Sequence, residues 1–246
     1  MSLCKNCSSV ASIIVLTMIV GCASAQKKWT YQLGVGGTYN SGNVNNIGFR
    51  HNGSAERNDS ILSFSGDYKF MYSEEAHKPT NREFTAGIKF DLFQYDRFSP
   101  FFASNFITNH FKGYDAKTNV MAGAKLRLYT VPGVCDYSIS AAFVYDFVKY
   151  TVQEDGLKDQ LGRISLRAKI KHKFGDVVTL NHTTFYQPSV TTGFSDYIVT
   201  SSTKFENKIG TNFFLDLIFT YECRSVVPTG TKREDTYAEV GLRWKF

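Results

Sequence analysis

The sequence predicts an all-β fold: a closed antiparallel up-and-down transmembrane β-barrel of about twelve strands. Apolar residues recur at every second position after residue 28. The alternating runs last about 10 to 14 residues, as a strand tilted across a bilayer requires, whereas strands of soluble domains typically hold about 5 to 6. Gly, Asn, Asp and Pro stand at nearly every break between runs. A length of 246 residues suits one barrel domain, and 15% aromatic content with 21 Phe and 14 Tyr suits a chain made mostly of strands.

The first segment follows other rules. Lys5 is its only charge, an apolar run extends from Val10 to Val20, and Ala23-Ser24-Ala25 precedes Gln26. An apolar run of about 11 residues is too short to span a bilayer as a helix, so residues 1–25 read as a secretory signal peptide and 26–246 as the barrel domain. A competing cut exists at Ile19-Val20-Gly21-Cys22, which has the form of a lipobox acylated on the Cys. Intact-mass measurement separates the two.

The strands are expected at 29–40, 46–57, 60–72, 82–94, 97–109, 115–129, 135–151, 159–173, 177–188, 196–206, 209–223 and 234–246. Ten strands is the alternative count. Aromatic residues cluster toward segment ends, at Trp29, Tyr31 and Tyr39 on the first, Tyr68, Phe70 and Tyr72 on the third, and Trp244 and Phe246 on the last. Rings in those places suit the boundary between lipid and headgroup. On the sixth, Val120, Ala122, Ala124, Leu126 and Leu128 alternate with Asn119, Gly123, Lys125 and Arg127. On the eighth, Ile164, Leu166, Ala168 and Ile170 alternate with Arg163, Ser165, Arg167, Lys169, Lys171 and Lys173. No dry core accepts such a basic row, so it faces water.

Connections alternate in length, as they do when hairpins turn briefly in the periplasm and loosely outside. Short turns fall at Asn58-Asp59, Tyr95-Asp96, Pro132-Gly133, Gly175-Asp176 and around Asn207. Longer ones fall at Ser41 to Asn45, Ser73 to Asn81, His110 to Tyr114, Gln153 to Lys158, Ser189 to Ser195 and Ser225 to Arg233. Backbone amides cannot face hydrocarbon unpaired, so the first strand must pair with the last. That last strand sets Thr236, Ala238, Val240, Leu242, Trp244 and Phe246 on one face and Tyr237, Glu239, Gly241, Arg243 and Lys245 on the other. Leu242, Trp244 and Phe246 also resemble the terminal signal read by the outer-membrane barrel assembly machinery. That machinery and outer-membrane lipid are the expected partners, in a Gram-negative outer membrane.

Composition also narrows the chemistry. Cys4, Cys7 and Cys22 lie in the export segment, leaving Cys135 and Cys223 to bridge in an oxidising periplasm or to sit as small apolar residues. No metal-ligand spacing appears and no cofactor is implied. Gly34-Val35-Gly36-Gly37 leads into strand and turn rather than a helix, which fails the nucleotide-binding test. The basic stretch near 163–173 lacks interleaved stacking aromatics, which argues against nucleic acid. His51, His77, His110, His172 and His182 are scattered, with no Ser and acid in a motif around any of them, so no catalytic residue is assigned.

Taken together, Gly36-Gly37-Thr38-Tyr39-Asn40-Ser41-Gly42-Asn43, the stretch from Tyr95 through Phe101-Phe102 to Phe111-Lys112-Gly113-Tyr114-Asp115, Gly123, Tyr186-Gln187-Pro188-Ser189, Pro228-Thr229-Gly230 and Asp235-Thr236 resemble the salt-induced outer-membrane protein family. The resemblance covers nearly the whole exported chain. It implies an outer-membrane barrel with a link to salt or osmotic stress, and no catalytic residues. Ala124-Lys125-Leu126-Arg127 after Gly123 departs from the family's glycine-rich pattern.

The lumen remains. Net charge is +6, and Lys5 leaves with the leader, so +5 stays on the barrel. Lys89 and a basic row of Lys125, Arg127, Arg163, Arg167, Lys169, Lys171, Arg243 and Lys245 are expected to point inward, offset in part by Asp67, Asp91, Asp146, Asp216, Glu222 and Glu239. An open lumen with that surplus favours small anions. The alternatives are a non-conducting structural or envelope-stress barrel, whose inner charges pair across the lumen, and, more remotely, an outer-membrane lipid hydrolase.

Overall fold

The computed structural model describes residues 29–41, 46–75, 78–152 and 157–246. The expected signal peptide with its two candidate cleavage sites, and Cys4, Cys7 and Cys22, lie outside the described residues. Twelve strands form one closed barrel: β1 (Trp29–Ser41), β2 (Asn46–Arg57), β3 (Leu62–Glu75), β4 (Lys78–Leu92), β5 (Phe98–Asn109), β6 (Tyr114–Val131), β7 (Cys135–Tyr150), β8 (Gln160–Phe174), β9 (Val178–Pro188), β10 (Tyr197–Lys208), β11 (Phe213–Arg224) and β12 (Glu234–Lys245). Each pairs antiparallel with its sequence neighbours, and β1 closes on β12 from Gln32 opposite Lys245 to Ser41 opposite Thr236. Closure leaves no edge strand, which is the condition for a sheet in hydrocarbon.

The two-residue period sorts the side chains. Val35, Phe49, Phe84, Phe102, Phe143, Leu166, Ile170, Phe219, Val240 and Leu242 all stand exposed on the outer face. Their neighbours along each strand, such as Thr38, Arg50, Asp146, Asp216, Glu239 and Arg243, are buried in the lumen. An apolar outside and a charged inside are the reverse of a soluble domain, and they match hydrocarbon around the barrel and water within it.

The barrel has a turn end and a loop end. Around the turn end the outer rings of Phe90, Phe64, Trp29, Tyr31, Phe246, Trp244 and Phe213 touch in sequence, with centroids 4.7 to 6.2 Å apart. This is the aromatic girdle of a membrane interface. Tyr68 does not belong to a girdle: β3 runs on to Glu75, so Tyr68 sits halfway along it, with its ring 5.5 Å from that of His51.

Two connections differ from expectation. The segment from Ser73 to Asn81 is strand for most of its length, because β3 and β4 keep pairing beyond a bulge at Ser73/Glu74 as far as Glu75 opposite Lys78. Asn207 lies within β10, and the turn comes later, where Ile209 and Gly210 both donate backbone N–H bonds to the Phe213 carbonyl. The expected loop from His110 to Tyr114 holds one turn of 3-10 helix, His110–Lys112. The Asn109 side chain caps it by accepting from the Lys112 amide at 3.2 Å. Gly113 ends it at φ 83°, and a Cβ there would lie 2.9 Å from Pro228 of the β11–β12 connection. The turn therefore lies against the opposite side of the mouth.

Candidate functional site in the barrel lumen

Near the loop end the lumen is crossed by ion pairs. Lys112 places Nζ 3.5 Å from Glu83 on β4 and 3.9 Å from Glu222 on β11, strands five apart around the ring, and 4.8 Å from the centre of the Tyr237 ring on β12. Asn109 Nδ2 donates to Glu83 at 2.8 Å, tying the carboxylate to the same turn. Arg224 donates to Glu222 at 2.8 Å and lies 5.6 Å from the centre of the Tyr114 ring on β6, a second bridge across the lumen. Burial alone would lower the Lys112 pKa, but Glu222 and Glu83 outweigh it and raise the pKa well above the ordinary lysine value. Lys117, Asp146, Arg163 and Asp196 continue the network, with contacts of 3.1, 3.4 and 3.0 Å. The gap between these residues and Pro228 has a volume of about 50 Å³.

On another side of the same end, Arg50 forms a short ion pair with Glu239. Arg50 stands on β2 and Glu239 on β12, so the guanidinium must pass over β1. Gly36 and Gly241, paired in the register, leave that path open; a Cβ on Gly241 would lie 2.5 Å from an Arg50 nitrogen.

The turn half is different. On β10–β12, Arg243 is held by Asp216 at 2.7 Å and Glu206 at 2.9 Å, and Lys204 reaches the same two acids at 3.0 and 2.7 Å. Two cations face two anions, so that cluster is neutral. The β6–β8 wall is not. Lys125 and Arg167 stand on either side of Ser140, and Arg127 and Lys169 on either side of Ser138. The strand between two basic rows thus supplies only small hydroxyls there. Arg167 lies 5.9 Å from the ring centres of both Phe101 and Phe185, which hold the guanidinium without neutralising it. A cavity of about 660 Å³ opens at this end between Lys173, Lys208, Lys245, Phe214 and Trp29.

The eight residues of the expected basic row share the parity of the buried lumen residues on their strands, but they do not act as one row. Arg163 is consumed by Asp146 and Asp196, and Arg243 by Asp216 and Glu206. Arg127 turns to Asp136 at 3.2 Å and to the carbonyls of Tyr95 and Gln94. Among the described residues Lys125, Arg167, Lys169, Lys171 and Lys245 have no carboxylate within ion-pair distance. Reading the sequence did not assign roles to Arg50, Lys112, Lys117, Lys204 or Arg224; Arg50, Lys112 and Lys117 meet acids on other strands, Lys204 meets Glu206 on its own strand and Asp216 on the next, and Arg224 meets Glu222 on its own. The pairing of Asn109 with Gly113 around a three-residue turn was the one local signal for Lys112.

Leu242 and Trp244 lie on the outer face, and Phe246 exchanges backbone hydrogen bonds with Tyr31 at 2.9 and 3.0 Å. Cys135 at the turn end of β7 and Cys223 at the loop end of β11 are both free thiols. His110 Nδ1 meets Asp115 at 3.0 Å and Thr151 at 3.3 Å. A relay needs base and orienting acid on different ring nitrogens, and here both neighbours compete for one.

Known structures share the fold. The NanC porin aligns with a TM-score of 0.60 at 8% identity, covering 87% of this chain and 100% of that one. The KdgM porin, solved in complex with disordered oligogalacturonate, aligns at 0.53 and 12% identity over 87% and 99%. The translocator domain of the autotransporter NalP from Neisseria meningitidis aligns at 0.52 and 13% identity over 97% and 96%. At these identities the likeness is one of fold. No curated protein sequence matches. The family model described as "Protein of unknown function, DUF481" matches residues 33–246, and the chain belongs to that family.

Proposed function

We propose that this protein is an outer-membrane pore that passes small anionic solutes, with carboxylated oligosaccharides as the favoured class. One observation carries the reading: Lys125, Arg167, Lys169 and Lys171 face the lumen along β6 and β8 with no carboxylate within ion-pair distance, whereas Arg243 and Lys204 on β10–β12 are matched by Asp216 and Glu206. Like charges lining a lumen set the sign of what enters it. The fold shared with porins supports an outer-membrane location, with lipid and the assembly machinery as partners, and oligogalacturonate bound to a neighbour carries the charge this wall complements. In this orientation the turn end lies in the periplasm and the loop end outside. Resemblance to the salt-induced family adds a role under salt or osmotic stress, which growth of a deletion strain at high salt tests.

Planar-bilayer recording of the purified protein tests the pore. Anion preference is the expected result, and an oligogalacturonate should block the current at lower concentration than a neutral oligosaccharide of equal length. Cation preference ends this reading. A second reading, a barrel that does not conduct, is favoured by the Lys112 bridge and the filled space around it. Silence at every voltage in both the native chain and a Lys112→Met variant would establish it.

A further inference from the structure

The inner face of β8 loosens toward the turn end. Arg163 near the loop end is 5% exposed and Ser165 is buried, Arg167 and Lys169 are half-buried, and Lys171 stands exposed within the lumen. Alternate residues of a strand lie about 6.7 Å apart, so Arg167, Lys169, Lys171 and Lys173 make a cationic row roughly 20 Å long that ends at the mouth. The lumen is filled at one end and widens at the other, with positive charge along the widening part.

At the mouth the row meets two further lysines. The cavity of about 660 Å³ lies between the β8–β9 and β10–β11 turns and the adjoining ends of β12 and β1. The Lys208 amide donates to the Val177 carbonyl at 2.8 Å and the Lys245 amide to the Asn212 carbonyl at 2.9 Å, so each lysine is pinned at its backbone to a neighbouring turn. Two acids also line the space, and both are already engaged. Asp176 holds Lys173 at 2.8 Å, while Glu206 holds Lys204 at 2.7 Å and Arg243 at 2.9 Å. Phe214 adds an apolar ring, and Thr179, Thr211 and Asn212 add hydroxyls and a carboxamide.

This mixture is selective. A bare inorganic anion uses the ammonium groups alone, and a neutral sugar uses only the ring and the neutral polar groups. A sugar that carries a carboxylate uses all three: its apolar face packs on the ring, its hydroxyls exchange hydrogen bonds with Thr and Asn, and its carboxylate meets an ammonium. A chain of such sugars extends from the mouth onto the β8 row. The loop end offers no such place, because Lys112, Arg163 and Arg224 are each held by acids there.

We propose that the periplasmic mouth is a binding site for one end of a carboxylated oligosaccharide, with Lys208 and Lys245 as its charge contacts and Phe214 as its stacking surface. The proposal takes its solute class and its orientation from the pore reading above, and adds an affinity confined to the periplasmic end.

The test is calorimetric titration of trigalacturonate into the detergent-solubilised barrel, beside maltotriose and inorganic phosphate. Trigalacturonate should bind most tightly, and Lys208→Gln combined with Lys245→Gln should weaken it about tenfold. Equal affinity in the native chain and the double variant overturns the site, as does phosphate or maltotriose binding as tightly as trigalacturonate. If the double variant fails to fold, Asn212→Asp sets an acid in the same cavity from an exposed turn, and unchanged affinity there overturns the site in its place. Planar-bilayer block adds the side. Trigalacturonate should block at lower concentration from the turn end than from the loop end. That difference should vanish in the double variant, which keeps its anion preference because Lys125, Arg167, Lys169 and Lys171 remain. Equal block from both ends of the native barrel overturns the mouth site and leaves the pore reading standing. Cation preference ends the pore reading instead, so the two failures are distinguishable.

Discussion

Lys112 on the β5–β6 connection and Glu222 on β11 meet across the lumen with Nζ 3.9 Å from Oε1, and Glu83 approaches the same ammonium from β4 at 3.5 Å. One cation thus holds two distant strands at the loop end. In Lys112→Met the two carboxylates lose their shared counter-charge inside the barrel. Breaking a buried pair costs on the order of 3 kcal/mol, since the acids are left uncompensated. Single-channel conductance should rise roughly two-fold as the side chain leaves the lumen, against an order-of-magnitude ceiling set by the remaining Arg224 bridge. An unchanged conductance would mean that the bridge does not obstruct the path.

The same pair has a pH signature. The folded-state pKa of Lys112 is raised above its ordinary 10.5, so its contribution to stability is complete below that value and is lost as pH rises through the higher folded value. Conductance should therefore stay flat from neutral pH to about 10 and step up only in stronger alkali. The step should be missing in Lys112→Met. A step near neutral pH that survives in Lys112→Met would assign gating to another group.

Selectivity and stability should separate by wall. Arg167→Gln, Lys169→Gln and Lys171→Gln, combined, remove cations that have no acid partner, so reversal-potential measurements should lose most of the anion preference while the melting temperature moves little. Arg243→Gln should do the opposite. It leaves Asp216 and Glu206 with Lys204 alone, at 3.0 and 2.7 Å, which puts the cost near the low end for broken buried pairs, about 3 kcal/mol. Urea titration in lipid vesicles measures that loss.

Gly113→Ala tests the mouth. A side chain at φ 83° costs about 1 to 2 kcal/mol, and its Cβ would press on Pro228 at 2.9 Å. The β5–β6 and β11–β12 connections should part, seen as faster protease nicking between His110 and Tyr114. No change in nicking would show that the two connections are held together elsewhere.

How much of this was legible in the sequence depends on how local each signal is. β12 was readable residue by residue, because Trp244 and Val240 outside against Arg243 and Glu239 inside is a pattern carried by one strand. Tyr68 was misjudged as a strand-end aromatic because pairing beyond Tyr72 is decided by β4, not by β3's own residues. The direction of Arg163 and Arg243 followed from parity, but their neutrality did not. Asp216 reaches Arg243 through the register of β11 and β12, which period alone does not report, and Asp196 reaches Arg163 from the β9–β10 connection. Lys112 was hidden for a stronger reason: Glu83 and Glu222 come together only when the ring closes.

Phe246 offers the last test, because it sits at the seam where closure occurs. Its amide donates to the Tyr31 carbonyl at 3.0 Å and its carbonyl accepts from the Tyr31 amide at 2.9 Å, while its ring stacks on Tyr31 at 5.8 Å and lies tilted against Trp244 at 4.7 Å. Deleting it removes two hydrogen bonds of about 1 kcal/mol each along with the stacking. A seam effect and a recognition effect predict different kinetics. If Phe246 only closes the barrel, Tyr31→Ala, which loses much of the same stacking, should slow membrane insertion comparably once stabilities are matched. If Leu242, Trp244 and Phe246 are read by the assembly machinery, deleting Phe246 should slow insertion in cells at least tenfold more than Tyr31→Ala. Spontaneous folding into lipid vesicles, where no machinery is present, should then be similar for both. Equal rates in cells would remove the recognition role and leave Phe246 as the bolt between β1 and β12.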